Sequence, residues 1–127
     1  MKIEVHVTHR PIPRPCRVPT LMNAGALAEF YGMVREEENG GKIRGLFYEG
    51  YLPMAQKVMA AIAHELAGEY AVQAVTAVHR LGEIPVGEAA IYVGCMATHR
   101  QEAFMVVTSL MDRLKQEVPI WKAGVLR

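Results

Sequence analysis

The chain has 127 residues, 51% hydrophobic and 21% charged, which suits one globular domain able to bury a continuous core without staples. Lys+Arg 14 against Asp+Glu 13 leaves a formal net charge of +1, too balanced for a non-specific nucleic-acid binder. Cys16 and Cys95 are the only cysteines and form no C-x-x-C pattern, which argues against a disulfide framework and a zinc–thiolate site.

Lys2 to Val7 alternates polar and apolar residues, placing Ile3, Val5 and Val7 on one face of a half-buried strand. This is not the apolar core of a signal peptide, and no run approaches a membrane span, so the cytoplasm is the expected compartment. The prolines of "HRPIPRPCRVP" forbid regular helix and central strand, making residues 10–19 a connector, either ordered or a flexible arm. Ala26 to Val34 reads as a strand in which Gly32 marks a bulge or a close backbone approach. Asn39-Gly40 signals a reversal, and Ile43 to Tyr51 reads as the returning strand of a long hairpin with a charged tip.

Pro53 suits the first turn of a helix running to about Tyr70, with an apolar stripe of Met54, Val58, Ala61, Ile62 and Leu66. Val72 to His79 and Ala89 to Ala97 read as further strands. Between them, Gly82, Pro85 and Gly87 argue against continuous regular structure. Cys95 lies in an apolar run and reads as a small packed hydrophobe. The last helix spans about His99 to Val118, with Thr98 and Gln101 matching a capping box and Pro119 ending it. Its core stripe is Ala103, Phe104, Val107, Leu110, Met111, Leu114 and Val118. The order β–β–β–α–β–β–α predicts an α+β fold, two helices on a mostly antiparallel sheet, with a parallel crossover possible across residues 43–79.

The chemistry concentrates at the C-terminal helix. Its N-terminus offers free N–H groups and the positive end of the backbone dipole, and His99 and Arg100 add to that preference for an anion. Arg100 falls along the core stripe and Lys115 on its margin, so each side chain either snorkels past the core edge or meets an anion. Arg100 and Lys115 lie roughly 22 Å apart along a straight helix, too far to grip one small anion. Either they serve different purposes, or two copies meet and share a site. Lys122 beside Trp121 either sits in solvent or, in a cleft, works on protons or a carbonyl group. Arg35 pairs with Glu36, Glu37 or Glu38, or faces a ligand that Gly32 allows to approach. His79-Arg80 reads as packing. The histidines show no helical metal spacing, and nucleotide-binding and hydrolase signatures are missing.

"GALAEFYGMVR", "YEGYLPMA", "VHRLGEIPVGEAAIYV", "THRQEAF" and "DRLKQEVPIWK" stand in register over residues 24–122. In order and spacing they resemble the large, catalytic subunit family of molybdopterin synthase. The resemblance implies an α/β hammerhead-type fold and a homodimer. Each copy would bind one small ubiquitin-like sulfur-carrier subunit, giving a heterotetramer. The carrier's C-terminal Gly-Gly thiocarboxylate would donate sulfur to cyclic pyranopterin monophosphate (precursor Z) to form the molybdopterin dithiolene, with no metal or organic cofactor.

By the same resemblance Lys115 matches the family's essential lysine and Lys122 the second lysine of the W-K motif. His99 and Arg100 match an H-R pair placed near the lysines of the other copy, and Arg35 the arginine closing its strand. Lys115, Lys122 and His99 are then catalytic candidates. Arg35, His99, Arg100, Lys115 and Lys122 are substrate-binding candidates, and no residue is a metal ligand. Family members usually continue past W-K, whereas this chain reads "WKAGVLR", so nothing is carried over from a longer tail. Glu38 stands where an asparagine is common, which implies a different loop shape. The competing readings are an inactive carrier-binding subunit of the same fold and a small phosphate-ligand binding protein.

Overall fold

The computed structural model describes residues 1–127. In chain order the elements are β1 (Lys2–Thr8), β2 (Ala26–Met33), β3 (Glu37–Glu38), β4 (Gly41–Lys42), β5 (Gly45–Gly50) and α1 (Leu52–Glu69). They continue with β6 (Ala74–Arg80), β7 (Gly82–Pro85), β8 (Ala89–Ala97), α2 (Arg100–Glu117) and β9 (Ile120–Leu126). One sheet has the order β1-β6-β8-β2 and another β7-β5-β9, with β3 and β4 forming a separate ribbon. Only β1 and β6 run parallel; every other pair is antiparallel. The α+β expectation therefore holds.

Three details differ from the sequence reading. The 26–51 hairpin does not form, because β2 pairs with β8 while β5 pairs with β7 and β9. Asn39-Gly40 does reverse the chain, with both residues at positive φ, but closes only the β3–β4 ribbon. The parallel crossover runs from β1, not from residue 43: α1 packs on both β1 and β6. Finally, β7 and β9 were not anticipated. Gly82, at φ +88°, lets the chain leave β6 and re-form a four-residue strand in the second sheet after a single residue.

The largest apolar cluster lies between the helices and the four-stranded sheet. In α1 the buried stripe is Ala55, Met59, Ile62, Ala63, Leu66 and Ala67, and Met54 and Ala61 face out. Alanine at three of these positions lets the helix lie close to the sheet, which sets its rotation more strongly than the larger Met54 does. In α2 the stripe is Ala103, Val106, Val107, Leu110 and Leu114, leaving Phe104 59% exposed. The capping box is not formed. Thr98 Oγ1 instead accepts a hydrogen bond from Gln73 Nε2 at 2.8 Å, and His99 takes the N-cap position without a side-chain bond.

The opposite face of the four-stranded sheet is covered by the proline-rich connector, which is ordered. Ile12 is buried with Ala89 and Tyr92, and Cys16 N–H donates to the Tyr31 hydroxyl at 2.7 Å. Tyr92 lies over Gly94, two residues along its own strand, and its hydroxyl donates to Glu29 at 2.6 Å across the sheet. A separate cluster of Val34, Ile43, Leu46, Ile84 and Ala90 fastens the second sheet to the first. Cys95 is 1% exposed, as a packed hydrophobe would be. No helix is long and apolar enough to cross a membrane.

Candidate active site

A cavity of about 290 Å³ opens where the two sheets and the end of α2 converge. Most of its wall is apolar, including Phe30, Met33, Val34, Leu46, Ile91 and Leu114. Lys115 and Lys122 are the cations in that wall. Lys115 comes from the last turn of α2, where a cation complements the negative end of the helix dipole. Val118 and Pro119 then turn the chain, and β9 returns beside β5 with Lys122 opposite Tyr48. Seven residues thus carry the chain from one lysine to the other around a single hollow.

Gly32 contributes by lacking a side chain. A Cβ there would stand 2.5 Å from Ile91 Cγ2, and both residues line the cavity. The pairing register also shifts between Gly32 and Met33, so the expected bulge and the close approach both occur.

Lys122 Nζ donates to Glu38 Oε2 at 2.6 Å, linking β9 to the β3–β4 ribbon. The hydrogen bond from Lys122 holds the Glu38 carboxyl below its ordinary range against the opposing effect of burial, and the charges of Lys122 and Arg35 act in the same direction. Lys122 is therefore neither a solvent-only lysine nor one lying only against an apolar ring. Trp121 lines the cavity but remains 48% exposed, so it is no buried anchor.

Arg35 lies outside this cavity, in an adjoining polar groove that it lines with Glu36 to Gly40. It makes no ion pair: among the acidic residues beside it, Glu38 is taken by Lys122. His99 and Arg100 are exposed at the start of α2 and far from the lysines of the same chain. His99 Nδ1 stands 3.8 Å from Glu102 Oε2. Arg100 does not follow the core stripe into the protein; as the first residue of α2 it is exposed. One copy thus brings together Lys115 and Lys122, sets Arg35 in the neighbouring groove, and leaves the H-R pair apart.

His79 is a wall residue that sequence reasoning assigned to packing alone. It is packed, edge-on to Tyr48 at 5.3 Å between ring centroids, with Nδ1 donating to the Arg80 carbonyl at 2.9 Å. Burial pushes its pKa down despite that hydrogen bond, so the imidazole is neutral at physiological pH. Its place was readable from strand alternation. Val75 and Ala77 of β6 pack in the helix-side core, and His79 follows on the same face. Arg80 faces the other way and pairs with Glu88 at 2.6 Å. No group of three His, Cys, Asp or Glu side chains converges as a metal site would require.

Comparison with known proteins gives this arrangement a family. Residues 13–117 match the family model described as MoaE protein. A rice (Oryza sativa subsp. indica) relative named molybdopterin synthase catalytic subunit is 38% identical over 102 residues, covering 80% of this chain and 53% of its own. The chain spans about half the length of the curated rice and human relatives it matches. The solved structure of molybdopterin synthase from Staphylococcus aureus superposes with a TM-score of 0.88 at 31% identity, covering 95% of this chain and 90% of the other. A complex of subunits 1 and 2 of the molybdopterin-converting factor from Helicobacter pylori superposes with a TM-score of 0.69 at 26% identity, covering 80% and 66%. With its matched span, the register of its motifs and the likeness of its fold, this chain belongs to the MoaE protein family.

Proposed function

We propose that the chain is the catalytic, sulfur-transferring subunit of a molybdopterin synthase acting in the cytoplasm. It takes sulfur from the thiocarboxylated C-terminus of a small ubiquitin-like carrier and delivers it to precursor Z, forming the dithiolene. The observation that carries this reading is the pair Lys115 and Lys122 in one apolar cavity. An apolar hollow strengthens the interaction of an ammonium with an anionic peptide end, because less water screens it. The names of the relatives and the two-subunit Helicobacter complex support the activity and the kind of partner.

In this mechanism Lys122 steadies the carrier's terminal group, and Lys115 stabilises the charge that develops when sulfur is transferred. Proton transfers accompany opening of the substrate's cyclic phosphate, and His99 or Lys115 supplies or accepts them. Arg35, Arg100 and the α2 N-terminus hold phosphate. The chain's own helix separates Arg100 from Lys115, so the phosphate site is completed by a second copy, whose H-R pair comes to the lysines of the first. Exposed apolar side chains support that contact: Phe104 and Met105 in the first half of α2, with Phe30 on the helix-side face of the adjoining β2.

The test combines purified protein, thiocarboxylated carrier and precursor Z, with dithiolene formation as the readout. Lys115→Ala lowers turnover by at least about a hundredfold while carrier binding persists, as removal of one preorganised charge-stabilising group does. Full turnover by Lys115→Ala refutes its role. Carrier binding without any turnover by the parent protein refutes the activity.

A further inference from the structure

Glu38 stands between the polar groove and the apolar cavity, and it bridges them. Its side chain is 17% exposed, lines the groove with Arg35, and ends on the ammonium of Lys122 in the cavity wall. We propose that Glu38 is an affinity-setting residue: an internal carboxylate that occupies the Lys122 ammonium and must be displaced by the carboxylate or thiocarboxylate end of an incoming peptide. The proposal rests on the synthase reading for the identity of that peptide.

The chemistry of exchange is balanced, since one carboxylate replaces another on the same donor and no proton moves. At 2.6 Å the pair is a charge-assisted hydrogen bond, and a second anion brought to the same ammonium feels the Glu38 charge as repulsion. A lysine has three N–H donors, so the ligand can begin to bind before Glu38 leaves. Arg35 offers Glu38 a place to go: it lines the same groove, it already acts on the Glu38 charge, and it makes no ion pair of its own. The depressed Glu38 pKa means that the carboxylate is ionised at neutral pH, so the competition operates where the enzyme works. Lys115, by contrast, has no carboxylate partner within ion-pair distance. The competition therefore falls on one lysine of the two.

The test uses a fluorescent peptide ending in Gly-Gly, with either a free carboxylate or a C-terminal amide, titrated at pH 7 with the parent chain, Glu38→Gln and Glu38→Gln/Lys122→Ala. Glu38→Gln tightens binding of the free-carboxylate peptide by roughly two- to fivefold, the range for one partly exposed charge pair. It leaves the amide unchanged, and the double variant loses the gain. Equal or weaker binding of the free-carboxylate peptide by Glu38→Gln overturns the proposal, as does an equal gain for the amide or a failure of the free-carboxylate peptide to bind. Turnover with the intact carrier separates the two readings. Dithiolene formation without a Glu38 effect on peptide binding removes the competition alone, and absence of dithiolene removes the synthase reading.

Discussion

Ile84 is the side chain on which the second sheet, and with it Lys122, most depends. It is 0% exposed at the centre of the cluster formed with Val34, Ile43, Leu46 and Ala90, which joins β7-β5-β9 to the rest of the protein. Ile84→Ala removes roughly three methyl-sized groups at about 0.8 kcal/mol each, or about 2.4 kcal/mol of transfer free energy. Leu46 and Ala90 are held in strands and Val34 and Ile43 are buried beside them, so the site collapses little and a residual void brings the loss to about 2.5–4 kcal/mol. Ile84→Val removes one group and costs about 0.5–1.5 kcal/mol. The assay is urea unfolding followed by circular dichroism: both variants shift the midpoint without changing the slope, and Ile84→Ala shifts it more. Domains of this size have about 5–15 kcal/mol to lose, so both variants fold at 25 °C. A loss below about 1 kcal/mol for Ile84→Ala would show that this cluster does not hold the second sheet.

Two further outcomes test the cavity wall and the core. Gly32→Ala puts a methyl group 2.5 Å from Ile91 Cγ2, a β-branched methyl that cannot swing away, and costs about 1–3 kcal/mol in thermal or urea unfolding; an unchanged midpoint would mean that the two strands separate freely at the cavity. Burial pushes the Cys95 thiol up to about 12, so on the order of one molecule in ten thousand carries the thiolate at pH 8. Iodoacetamide therefore leaves Cys95 unmodified in the native chain and alkylates it in urea, which mass spectrometry of the digested peptides reads directly. Rapid native labelling at Cys95 would contradict its packing.

Local patterns translated well where a segment's structure is decided by its own residues. Ala89–Ala97 was bounded correctly because its apolar run is flanked by glycine and by a helix start. Both helices were found for the same reason, since Pro53 and Pro119 punctuate them. Their rotation was less legible. Helical spacing of apolar residues puts Met54 and Phe104 in the core stripes, but the sheet selects a narrower stripe in which alanines allow close approach, and it leaves those two in solvent. The hairpin error has the same origin. Strand partners depend on residues far along the chain, and β2 meets β8 some sixty residues later, a pairing that no turn signal near residue 40 encodes.

The candidate site shows the same division. Lys115 and Lys122 were legible because a helix end and the proline after it bring them together through a local turn. Glu38 was hidden because it meets Lys122 from a strand far along the chain. Glu38 reads as part of a charged tip beside Arg35, whereas its contact with Lys122 spans 84 positions. His79 reads as packing, which it is, and alternation after Val75 and Ala77 already sets it on the helix-side face that ends at the hollow. The separation of Arg100 from Lys115 follows a third logic. It is fixed by helix rise alone, so it was calculable before any fold was known. A rigid rod of eighteen residues keeps its two ends apart whatever packs around it, and cations at both ends can serve one ligand only if another copy of the rod lies alongside in the opposite sense. The exposed Phe104 and Met105 near the start of that rod are the surface by which such a copy would be held.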